Sequence, residues 1–190
     1  MNLVLLADSL DSSQVFLRAA SQAGYRILKL LGIKDDACRY VESLRPDALI
    51  IVSEAIDSGV LHEMRMVTRR RPTPMLVFTR DADPDAIDAA VKAGATSYVI
   101  NCNEADRLGA LLEVAKVRFE EQQRLSRELL QTQNALKERK RIEKAKGIIM
   151  RTKSINEDQA YNAIRKLAMN HNKRMGEIAE QIISASEVLV

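Results

Sequence analysis

Between Lys137 and Arg174 the chain carries 12 basic and 4 acidic residues, a local excess of +8 in a protein whose formal net charge is only +3. Arg139, Lys140, Lys144, Lys146, Arg165, Lys173 and Arg174 are the cations there that suit neutralisation of phosphates. Ala145 and Gly147 are small enough to let a loop approach the helix that bears them. Binding of a polyanion through such residues releases condensed counterions, so affinity should fall steeply with salt. The opposing reading is a solvated helical face whose balancing acids lie elsewhere. Residues 1–136 hold 17 basic and 19 acidic groups, and residues 175–190 add three glutamates, so the bias belongs to one segment. Tyr161, its one aromatic ring, is either a surface on which a base stacks or a core side chain. Asn170 and His171 offer hydrogen bonds to bases or simply end a helix, and Met150 and Met169 read as core.

A second constellation needs a scaffold to assemble it. Leu3–Ala7 is a continuous apolar run, as in a parallel strand covered on both faces. Asp11, Ser12 and Ser13 offer helix-capping chemistry ahead of Val15, Phe16, Ala19 and Ala20, and Gly24 closes that helix. Tyr25–Leu30, Ala48–Val52, Met75–Thr79 and Ser97–Ile100 read as further strands, with helices over about 35–44, 58–71 and 85–93. Five such βα units predict a doubly wound parallel sheet, whose ligand site lies outside the carboxyl ends of the strands. Asp8, Ser9, Val52, Ser53, Thr79 and Asn101 stand at those ends.

No Gly or Pro interrupts residues 111–146, which predicts a helix from about Glu104 to Arg141. Leu108, Leu111, Ala115, Leu125, Leu129 and Leu136 fit a seam of period 3.5, interrupted by Arg118, Gln122 and Thr132. A parallel homodimeric coiled coil satisfies that seam; folding back onto the C-terminal helices is the alternative. Beyond it, Asn156 with Gln159 makes a capping box, and Ala160, Ile164, Leu167 and Ala168 form an apolar stripe. Ile178, Ala179 and Ile182 form another, so the end of the chain reads as a three-helix unit. The expected organisation is an α/β domain over 1–105, a coiled-coil connector over 106–137, and an all-α domain over 138–190.

Composition narrows the function classes. With 46% hydrophobic and 29% charged residues, and only seven Gly and four Pro, the chain is not disordered or repetitive. Three Phe, four Tyr and no Trp argue against an aromatic platform for single strands. The longest aliphatic run, Ala48–Val52, is far short of the roughly 20 residues of a membrane helix. The start of the chain has no signal-peptide pattern, and Cys38 and Cys102 stand apart, so a reduced, cytoplasmic setting is expected. No Gly-rich phosphate loop occurs, and His62 and His171 lack a carboxylate or cysteine framework, which speaks against an enzyme and against any cofactor or metal.

The strand-end residues resemble those of a response-regulator receiver domain. In that likeness Asp8 matches the first acid after the first strand and Thr79 the hydroxyl ending the fourth. Ser9 replaces the second acid, Val52 stands where the phosphoacceptor aspartate belongs, and Asn101 takes the lysine position. Mg²⁺ prefers carboxylate oxygens, and valine has no oxygen to accept a phosphoryl group. Asp8 and Thr79 are therefore read as remnants or caps, Glu54 as a solvated loop acid, and the receiver as independent of phosphorylation. The C-terminal segment, with E-R-K-R-I-E-K-A-K-G-I-I-M from Glu138 to Met150 and the later Ala160-Tyr161…Arg165…Ala168-Met169, resembles the ANTAR domain of transcription antiterminators. A degenerate receiver, a long helix and an ANTAR domain, in that order, are similar to the AmiR/NasT group. Ser97-Tyr98-Val99 and Ala179-Glu180-Gln181-Ile182-Ile183 lean toward its NasT-like, nitrate/nitrite-responsive branch. The resemblance implies binding of paired hairpins in leader mRNA, antitermination, homodimerisation, and a NasS-like sensor protein as partner. The alternatives are a DNA-binding response regulator, or a protein-interaction module without nucleic-acid specificity.

Overall fold

The computed structural model describes residues 1–100 and 107–188. Asn101 and Cys102 lie outside the described residues. Contacts divide the chain into two units, Met1–Gln123 and Arg124–Val190.

The first unit alternates strand and helix: β1 Asn2–Ala7, α1 Leu10–Gln22, β2 Arg26–Gly32, α2 Ala37–Leu44, β3 Ala48–Ser53, α3 Ser58–Arg70, β4 Met75–Thr79, α4 Pro84–Ala93 and β5 Ser97–Ile100. The strands form one sheet in the order β2-β1-β3-β4-β5, and each pair is parallel. Alternation of side chains explains the continuous apolar runs. Leu3, Leu5, Ile50, Val52, Leu76 and Phe78 point to the face covered by Phe16 and Ala20 of α1 and by Leu108, Leu112 and Ala115 of the following helix. Val4, Leu6, Leu49, Ile51, Met75 and Val77 point the other way, against Val41, Val60, Met64, Val67 and Ala90 of α2, α3 and α4. Every residue of β3 and β4 is buried, whereas the edge strand β2 is only partly covered. Gly94 ends α4 at φ +110°, and a side chain there would collide with Thr68.

Several bounds differ from the sequence expectation: α1 starts at Leu10, capped by Ser9 rather than by Asp11–Ser13, and the helix expected to end near Arg141 runs on to Lys153. Strand β2 runs on to Gly32, with a register shift opposite Leu3/Val4. Helix α2 starts at Ala37 because Asp36 caps it, accepting from Arg39 N–H at 2.8 Å, while Asp35 instead accepts from Gly32 N–H.

Helix α5, Leu108–Lys153, runs 46 residues without interruption. Its first turns complete the core of the sheet unit, with Leu108, Leu112 and Ala115 buried and Leu111 half-buried. Farther along, Leu125, Leu129, Leu130 and Leu136 are each more than half exposed within the single chain.

In the second unit the end of α5 meets α6 Glu157–Asn170 and α7 Met175–Val188. Asn156 and Gln159 form the expected capping box at α6. The core is small: Ala145, Ile149, Ala160, Ile164, Ala168, Ile178 and Ala179, flanked by Ile142, Met150, Ile182 and Ile183. Leu167 and Met169 were expected inside, yet they are 40% and 71% exposed. Positions 160, 164 and 168 already fill the inward strip of α6, and a core built of alanines has no room for a second row.

Candidate nucleic-acid interface and the strand-end cleft

At the carboxyl ends of the strands the polar groups hold one another. The Asp8 carboxylate accepts from Glu54 N–H at 2.7 Å and from the Ser12 hydroxyl at 3.1 Å. Ser9 caps α1, accepting from Ser12 N–H at 3.1 Å. The Thr79 hydroxyl donates to the Glu54 carbonyl at 3.0 Å and accepts from Asp81 N–H at 3.1 Å. Both backbone groups of Glu54 are thus gripped by side chains from the ends of β1 and β4. The Ser53 hydroxyl donates to the Ala55 carbonyl. Beside them, the Tyr98 hydroxyl donates to the Asp81 carbonyl at 3.0 Å, and burial pushes its pKa up. Val52 is buried and lies in the lining of a cleft of about 410 Å³, with Asp8, Ser9, Ser12, Glu54 and Arg80. Among the described residues no group of three His, Cys, Asp or Glu side chains is placed to hold a metal ion. Of the carboxylates in the lining, Asp8 has both oxygens occupied and Glu54 is paired with Arg80 at 3.5 Å, while Asp11 sits in the first turn of α1 and valine stands at position 52.

The basic segment is arranged differently. Helical spacing separates its residues into inward and outward positions. Ala145 falls in line with Ile142 and Ile149 and is fully buried, so it belongs to the core rather than to an approach surface. Lys146 is also enclosed, with only 7% of its surface exposed. Its ammonium donates to Glu143 at 2.9 Å and to Glu157 at 2.7 Å, tying α5 to the first turn of α6. Those two hydrogen bonds, Glu143 first, raise the Lys146 pKa, and the same ammonium lowers that of Glu157. Lys146 is therefore a strut, and it has little free charge to give a phosphate. Glu157 lies 11 residues away, across a turn, which is why sequence spacing did not expose the pairing.

Arg139, Lys140 and Lys144 remain exposed on α5, Arg165 on α6, and Lys173 and Arg174 in the turn before α7. Lys144 is paired at 2.9 Å with Glu187, both side chains more than half exposed, a contact of little energetic weight. A Cβ added at Gly147 would meet open space, so close approach is unobstructed there. Tyr161 is 42% exposed, which settles it at the surface, and helical spacing puts it in line with Arg165 and Met169. Lys137 and Arg141, which sequence reasoning passed over, join Arg174 around a cleft of about 390 Å³. Their i, i+4 spacing was the available signal.

Residues 130–183 match the sequence profile of the ANTAR domain. The chain carries an ANTAR domain. Over 162 residues it is 26% identical to the transcriptional regulatory protein PdtaR of Mycobacterium tuberculosis, covering 85% of this chain and 79% of that protein. Over 74 residues it is 43% identical to a nitrate regulatory protein of Klebsiella oxytoca, covering 39% of this chain but 19% of that protein. The signal receiver domain of a modulated diguanylate cyclase from Desulfovibrio desulfuricans superposes with a TM-score of 0.56 at 16% identity, covering 64% of this chain and 97% of that one. That likeness establishes a receiver-like fold for the sheet unit. Together with the ANTAR domain, the named relatives make the chain a regulator of transcription, and neither is named as an enzyme. No helix among the described residues is long and apolar enough to cross a membrane.

Proposed function

We propose that the chain binds paired hairpins in leader mRNA and thereby acts in transcription antitermination, without phosphorylation of its receiver-like unit. The observation that carries this reading is the outward set Arg139, Lys140, Lys144, Arg165, Lys173 and Arg174 on a single helical unit, with Tyr161 exposed among them. Cations supply affinity for the backbone, and an exposed ring with a neighbouring guanidinium supplies planes on which unpaired loop bases stack. Of the expected connector over 106–137, the first seam positions Leu108 and Ala115 are buried against the sheet, and the exposed Leu125, Leu129, Leu130 and Leu136 support a parallel homodimer through its later part, which would present two ANTAR domains to two hairpins. Likeness to a nitrate regulatory protein supports nitrate or nitrite assimilation genes as targets; the partner proposed to hold the regulator until it is needed is a NasS-like sensor.

The test is a gel-shift salt titration of the full chain with a two-hairpin leader RNA, a loop-scrambled twin and a matched DNA duplex. Preferential binding of the intact hairpins is expected, with log K falling linearly against log salt. Equal, salt-labile binding of all three would reduce the segment to a basic helix, and RNA-insensitive capture by an acidic protein would favour an interaction module.

A further inference from the structure

Lys137, Glu138 and Arg141 of α5, with Arg174, Gly176 and Glu177 at the entry to α7, border the cleft of about 390 Å³. Three cations and two carboxylates would nearly cancel if all faced it. Both carboxylates keep their charge and are tethered to backbone: Glu138 accepts from Gly176 N–H at 3.3 Å, and Glu177 from Arg174 N–H at 2.9 Å. Gly176 makes the first contact possible, because a Cβ there would stand 2.8 Å from Glu138 Cγ. Arg141 is shared with Glu180 at 3.3 Å. Among the described residues no ion pair engages Lys137 or the Arg174 guanidinium. Formal charges around the cleft therefore balance, but Lys137 of α5 and Arg174 in the turn before α7 are its cations without an ion pair, and a guanidinium can grip two oxygens of one phosphate.

We infer that this cleft is a phosphate-binding site that takes a backbone phosphate of the bound RNA, gripped by Lys137 and Arg174 with Arg141 in support. The assignment rests on the RNA-binding reading and extends it to residues outside the outward face of α5. Glu138 lines the same cleft, and its carboxylate, held on Gly176 N–H, opposes an anion there.

The test uses the full chain, the two-hairpin RNA and inorganic phosphate, with circular dichroism to verify folding of each variant. Lys137→Gln combined with Arg174→Gln is expected to weaken RNA binding about tenfold and to make the salt slope shallower by roughly 0.7–0.9, the loss of one neutralised phosphate. Glu138→Gln keeps the acceptor oxygen and removes the charge, so RNA binding should tighten several-fold. Gly176→Ala should displace the flexible Glu138 side chain from the Gly176 N–H and weaken binding. An unchanged affinity and slope in the double variant would overturn the site. So would inorganic phosphate shifting the Gly176 amide resonance while the RNA leaves it unmoved, since the cleft would then serve a free anion. If the wild type fails to prefer intact over scrambled hairpins, the antitermination reading falls. The cleft is then still decided by the slope, which a phosphate contact alters on any RNA.

Discussion

The two ends of this chain treat polar side chains in opposite ways. At the strand ends of the receiver-like unit, Asp8, Ser9 and Thr79 spend their oxygens on backbone N–H groups, a carbonyl and one another. In the ANTAR domain, Arg139, Lys140, Arg165 and Lys173 are left to solvent. Thr79 is buried and must find a partner, Asp8 and Ser9 are exposed yet paired all the same, and a group whose partners lie within the fold has little to offer a ligand. The comparison teaches that retained residue types are a poor guide to retained chemistry, whereas the state of their hydrogen bonds is a good one. Lys146 carries the same lesson into the ANTAR domain, where a lysine inside a basic run turns out to be fully engaged.

Four measurements would break or sharpen that contrast. The largest effect is expected from Ile164→Ala, because Ile164 is fully buried in a core of only seven residues. A loss of about 2–5 kcal/mol should lower the denaturant midpoint of the ANTAR unit and abolish RNA binding, while signals from the sheet unit persist to higher urea. A single unshifted transition would contradict the independence of the two cores. Next, Leu129→Asp places a charge in the exposed stripe of α5, where Leu129 is 60% exposed. Self-association measured by sedimentation should weaken about tenfold or more, near 1.4 kcal/mol, with little change in monomer stability. Unaltered self-association would remove the stripe from the proposed dimer.

A smaller effect concerns pH. The Glu157 carboxyl is held below its ordinary value of 4.5, so its share of stability is complete above that value and disappears as pH falls through the lower folded one. Lys146, raised above 10.5, contributes fully below that value and loses its share only as pH climbs past the raised one. Glu157→Gln should therefore flatten the acid limb of a melting-temperature profile below about pH 5 and leave the neutral plateau nearly level. An identical acid limb would show that the Lys146–Glu157 contact is not sensed. The smallest expected effect is none: acetyl phosphate should leave mass and RNA affinity unchanged, and a phospho-adduct would reopen the strand-end cleft as a reactive site.

Much of the fold was legible because burial on both faces writes itself as uninterrupted apolar runs. Ala48–Val52 and Met75–Thr79 could be read without ambiguity for that reason. The edge strand β2, half covered and register-shifted, carried a weaker signature, so its end was misjudged. The capping box at Asn156 is a local rule and came through intact. What the sequence could not show were contacts made by return of the chain: Glu157 on Lys146, Glu138 on Gly176, and the seat of Arg174 beside Lys137 and Arg141. Met169 misled because an apolar residue on an amphipathic helix is usually inside, and here the inward strip was already occupied.

The exposed leucines along α5 carry one further consequence, set by mass action. If they are the seam through which two copies join, the hairpin-binding species is a pair, and its abundance rises with the square of the free chain while most of it is still single. A partner that withdraws half of the free chain would then remove about three quarters of the pairs. Modest sequestration becomes a sharp threshold, and the steepness is supplied by a helix that is incomplete alone.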